Sequence, residues 1–119
     1  MATLGEKGVF LLMSDSSEAE RPGYTTSESV VEAHLSKTFH NAEGRILVAL
    51  YASNFIRIQQ VFDQAYENNK KVVVLGKSLE SYFEVGVDLG YLTIADDVVI
   101  PVKDLDQYAD DEVIIIVTG

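Results

Sequence analysis

The chain has 119 residues, 19 Asp and Glu against 9 Lys and Arg, and a net charge of −10. That length suits one domain with one core, and nine basic residues under a negative global field exclude a general nucleic-acid binder, which needs clustered Lys and Arg. No cysteine is present, which excludes disulfides and thiolate metal sites and suits a cytoplasmic protein; no apolar run approaches the ~18 residues of a membrane span and no secretory signal is evident.

In chain order, Met1 to Gly8 reads as a frayed lead-in and Val9-Phe10-Leu11-Leu12-Met13 as a first strand. Ser14-Asp15-Ser16-Ser17 follows at its carboxyl end, and Arg21-Pro22-Gly23 signals a loop. Thr25-Thr26-Ser27-Glu28 matches a capping box, in which a Thr hydroxyl and a Glu three residues later satisfy free N–H groups. Val31, Leu35, Phe39 and Ala42 then form the apolar stripe of a first helix, with Gly44 as its stop. His34 and His40, the only histidines, fall on different faces of that helix and read as surface residues.

Gly44 to Gly76 organises the rest. Arg45 to Tyr51 is an apolar run of strand length, Ala52-Ser53-Asn54 turns the chain, and Phe55, Ile58, Val61, Phe62, Ala65 and Tyr66 recur at helical spacing. Lys71 to Gly76 is another strand, completing a βαβ crossover whose strands are parallel and buried. Lys77-Ser78 opens a third helix carrying Leu79, Tyr82, Phe83, Gly86 and Leu89, with Gly90 at its end. Val98-Val99-Ile100 is a strand closed by Pro101, Asp104 to Tyr108 forms a helical turn, and Val113 to Val117 is the last, most β-branched strand. The alternation predicts an α/β fold: a parallel, doubly wound, Rossmann-like three-layer sheet with helices on both faces, in a single domain over 1–119. A strand that closes a chain with Thr118-Gly119 commonly leads into another element, so the chain reads as a piece of something longer.

Candidate sites follow from the rule that open α/β sheets build them at the carboxyl ends of their strands. Asp15 there suits a metal ion, a proton or a phosphoryl group, or else merely caps a turn among Ser14, Ser16 and Ser17. Ser53 and Asn54 start a helix whose free N–H groups attract anions, with a plain N-cap as the ordinary alternative. Lys77 and Ser78 form the same junction one strand along, and Arg57 lies one turn into its helix. Asp96-Asp97 and Asp110-Asp111 precede strands and read as solvated. No H-x-H-x-D-H, H-E-x-x-H, Walker or dinucleotide motif occurs.

The stretch from Gly8 to Thr25 resembles the opening of the β-CASP domain of ribonuclease J, an apolar strand followed by S-D-S-T-N-A-E-R-P-G. The likeness continues at Ala52-Ser53-Asn54, at Arg57 and Gln59-Gln60, at Val74 to Ser78 where that family carries G-R-S, at Leu89-Gly90-Tyr91 and at Val117-Thr118-Gly119. Ser17-Glu18 stands in place of Thr-Asn, and Phe55-Ile56 in place of an apolar residue and a His. The resemblance implies the first and larger part of a β-CASP domain from a zinc-dependent exo- and endoribonuclease, with RNA passing between it and a metallo-β-lactamase domain of the same polypeptide. It implies that Asp15 is the motif A carboxylate beside the metal centre and that Ser53, Asn54, Arg57, Lys77 and Ser78 contact RNA phosphate. Two dispersed histidines cannot supply a dinuclear site, so the chain alone is expected to hold no metal, to lack catalysis, and to expose apolar area that favours self-association. The other reading is a free-standing regulatory, receiver-like module with Asp15 as phosphoacceptor, although neither Leu50-Tyr51 nor Leu75-Gly76 offers the Asp a receiver carries there.

Overall fold

A computed structural model describes residues 2–118; Met1 and Gly119, at the two ends of the expected lead-in and last strand, lie outside the described residues. Helix α1 (Ala2–Lys7) is followed by α2 (Glu28–His40), β1 (Ile46–Leu50), α3 (Phe55–Glu67), β2 (Lys71–Leu75), α4 (Lys77–Asp88), 3₁₀ turns over Val102–Gln107 and Asp110–Glu112, and β3 (Val113–Thr118). The strands are parallel in the order β1-β3-β2, with Ile114 of β3 opposite Ile46 on one side and Val72 on the other.

Alternation along the strands divides the core. Val72, Ile114 and Ile116 point to the face covered by Ile58, Val61, Phe62 and Ala65 of α3, Leu79 of α4 and Phe39 of α2. Val73, Val113 and Ile115 point to the other face, where Ile100, Leu105 and Tyr108 cover them. Helix α3 carries the chain from β1 past β3 to β2, and α4 carries it on to Val99, which bridges Val72 in parallel. The first 3₁₀ turn then brings it back to β3 over the opposite face. Reversing direction and changing face together keeps each crossover the same hand, as parallel units require. The expected Rossmann-like α/β sheet is therefore present, with three α-helices on one face and a 3₁₀ turn on the other.

Several expected details differ. Val9–Met13 forms no strand: Val9 is 56 % exposed and Phe10 fully so, and no residue in 2–27 is buried. An apolar run becomes a strand only when a neighbour takes its N–H and C=O groups, and Val9–Met13 pairs with none of the strands β1, β3 and β2. Asp15 consequently does not end a sheet strand. The unpacked arm also explains a radius of gyration of 17.5 Å, against about 13.5 Å for a compact chain of this length. Helix α2 is capped by Ser27, whose hydroxyl accepts from Ser29 N–H, rather than by Thr25. Val98–Ile100 is reduced to the single bridge. Tyr66, Tyr82 and Leu89 are exposed, because Ile58, Val61, Phe62 and Ala65 already fill the sheet-facing side of α3, and Leu79 and Gly86 that of α4. The turn acids are not all merely solvated: Asp97 pairs with Lys71 and Asp110 with Arg45.

Candidate functional site

The carboxyl rim of the sheet gathers most of the expected residues. At the end of β1, Asn54 N–H donates to Tyr51 O (2.9 Å), closing a tight turn. Asn54 Oδ1 then accepts Arg57 N–H (3.1 Å), making Asn54 the N-cap of α3. Ser53 is exposed beside it. A hollow of about 450 Å³ opens here, lined by Ala49, Leu50, Tyr51, Asn54 and Arg57. Strand β2 ends in Gly76, whose φ of 113° and ψ of 128° favour glycine. A Cβ there would sit 3.4 Å from Thr118 Oγ1, so the ends of β2 and β3 touch. Lys77 and Ser78 follow, exposed, in the first turn of α4.

Register places these junctions side by side. Leu50 lies opposite Thr118, and Leu75 opposite Val117. With one strand between them, the ends of β1 and β2 are about 10 Å apart. Two helix N-termini, with their positive partial charge, therefore flank one rim, though Arg57 N–H is taken by Asn54 Oδ1 and Gly76 N–H by Glu80 Oε1 (3.2 Å).

Arg57 is at this rim but already engaged. Its Nη2 and Nε donate to Glu28 Oε2 at 2.8 and 3.2 Å, fastening α3 to the start of α2. Gln60 Nε2 adds a bond to Glu28 O (3.3 Å). A phosphate reaching Arg57 competes with that carboxylate. Asp15 lies in the exposed arm, away from any sheet strand. Its Oδ1 accepts from the Ser17 hydroxyl and from Ser17 N–H (2.8 Å), a closed turn that holds the carboxyl below its ordinary value.

Three contributors were not among the site residues the sequence pointed to. Tyr51, 80 % exposed, lines the hollow from the end of an apolar run. Thr118 meets the Gly76 turn only through strand pairing. Glu28 reaches Arg57 across 29 positions.

Among the described residues, no three His, Cys, Asp or Glu side chains gather as a metal site. His34 and His40 are exposed on α2. The zinc that the resemblance implies belongs to the parent enzyme, and the described residues of this chain do not form a site for it. No described helix is long and apolar enough to cross a membrane.

Residues 43–119 match the family model described as "Ribonuclease J, beta-CASP domain". The whole chain is 53 % identical to the protein named Ribonuclease J 2 of Staphylococcus aureus strain NCTC 8325, and it covers 21 % of that protein. It is 51 % identical, again over its whole length, to Ribonuclease J 2 of Staphylococcus saprophyticus. The chain thus spans about a fifth of the length of these relatives.

Proposed function

Because this chain belongs to the ribonuclease J β-CASP family, we propose that it is the substrate-channel part of a ribonuclease acting in RNA processing and decay, with no cleavage activity by itself. The observation that supports this most is the shared rim of Ser53-Asn54 and Lys77-Ser78, two helix starts side by side. Phosphate oxygens suit such a rim, since helix N-termini offer N–H donors and favour negative charge. The Ser53 hydroxyl and Asn54 amide hold one phosphate, and Lys77 with Ser78 holds a neighbouring one. Arg57, preset by Glu28, stands by to the first. Asp15, ionised at neutral pH, belongs to the arm that runs toward a metallo-β-lactamase domain of the same polypeptide, where it serves that domain's metal centre. The working location is the cytoplasm. Exposed Phe10, Leu11, Leu12 and Met13 draw isolated copies together at high concentration.

The test is incubation of the chain with 5′-labelled single-stranded RNA, followed by gel analysis and by binding at low ionic strength. The expected result is weak binding, lost in a doubly substituted Asn54→Ala, Lys77→Ala chain, with the RNA intact. Cleavage that persists through repurification, or binding indifferent to both substitutions, overturns the reading.

A further inference from the structure

The sheet edge farthest from β1 is open. Val72 N–H donates to Val98 O (2.8 Å), and Ile100 N–H donates to Val72 O (3.0 Å). In a parallel bridge the residue between those two turns its own N–H and C=O the other way, so Val99 presents both outward. Two hollows, of about 480 and 440 Å³, meet at this edge and share Phe83, Glu84 and Val99. Their floor is apolar. Their rim is acidic: Glu80, Glu84 and Asp88 recur every fourth residue along α4, one row on its surface, and Asp96 stands at the far end. No Lys or Arg lines either hollow. Among the described residues, Glu84, Asp88 and Asp96 have no ion-pair partner. Like charges four apart repel one another along a helix, and a cation laid over the row relieves them.

We propose that this edge binds an extended, Lys- or Arg-bearing segment of a partner protein. The segment adds as a strand to Val99, places alternate apolar side chains in the two hollows, and sets its basic side chains against the row on α4. Pro101 offers no N–H, so the backbone contribution is short and charge carries much of the affinity. The row starts beside the carboxyl rim, where Glu80 Oε1 accepts from Gly76 N–H (3.2 Å), but Glu84, Asp88, Asp96 and Val99 lie farther along α4 and the edge, and binding there does not depend on the RNA reading.

The test uses the ¹⁵N-labelled 119-residue chain and a short capped peptide of alternating lysine and valine, titrated at low salt. The expected result is a shifted, exchange-protected Val99 amide and an affinity that falls about tenfold in a Glu84→Lys, Asp88→Lys chain. Both side chains are exposed, and unchanged β1 and β3 amide shifts confirm that the variant is folded. The glutamate–valine counterpart of the peptide is expected not to bind. The proposal falls if Val99 is unmoved when the peptide binds, if the charge-reversed chain or the acidic peptide binds equally well, if the peptide does not bind at all, or if single-stranded RNA shifts the same amides.

Discussion

Replacing Gly86 with alanine sets two effects of opposite sign against each other at one position. Gly86 lies inside α4 and is buried. On helix propensity alone, alanine gains about 1 kcal/mol over glycine. Yet the new Cβ would stand 2.7 Å from Phe55 Cε1 and 2.9 Å from Leu92 Cδ1, closer than carbon atoms tolerate. Neither neighbour yields easily. Leu92 is 3 % exposed in the core, and the Phe55 ring packs against Tyr91 at 6.0 Å and Tyr82 at 6.3 Å. Overpacking of this kind costs about 1–3 kcal/mol, leaving a net loss of about 1 kcal/mol and a melting temperature lower by about 3–5 °C. Phe55 follows the Asn54 cap directly, so the displacement also reaches the rim. Urea denaturation followed by circular dichroism measures the stability, and the Asn54 amide shift measures the displacement. A variant about 1 kcal/mol more stable than the parent, with Asn54 unmoved, would show that propensity wins and that the packing argument is wrong.

Asn54→Ala removes the α3 cap and is expected to cost about 1 kcal/mol in the same denaturation assay, as well as weakening RNA binding. Glu28→Gln breaks a half-exposed ion pair (side chains 25 % and 43 % exposed), so its cost stays under about 1 kcal/mol and vanishes in high salt; a larger, salt-independent loss in melts at two ionic strengths would contradict that. Phe39→Ala empties a site that is 1 % exposed and is expected to cost about 3–5 kcal/mol. Asp15 titrates below the ordinary carboxylate value of 3.8 because the Ser17 hydroxyl, then Ser17 N–H, bond its charged form. A lowered native value means these contacts persist above the ordinary range and are lost as pH falls through the native value. Carbon NMR of the carboxyl should show Ser17→Ala returning Asp15 toward 3.8.

Strands β1, β2 and β3 and helix α3 were legible because each carries its own periodic signal over enough residues. Val9–Met13 carries as good a signal as β2 and yet is no strand. A run of five apolar residues shows that burial is favoured, but the partner that supplies it need not be in the same stretch. Cap choice failed for a related reason. Thr25 and Ser27 are chemically equivalent candidates; Ser27 is the cap, and Glu28, the first helical residue, pairs with Arg57 instead of closing a capping box with Thr25. The Ser53-Asn54 junction was legible because a strand-to-helix turn is local. The engagement of Arg57 was not, since its partner lies 29 positions away.

The rim is tested most directly by an NMR titration of the chain with a short 5′-phosphorylated single-stranded RNA at low salt, with the RNA recovered and sized afterwards. The account predicts shifts concentrated at Ser53, Asn54, Lys77 and Ser78, and RNA of unchanged length. Shifts that leave those four amides untouched, or shortened RNA, would contradict it.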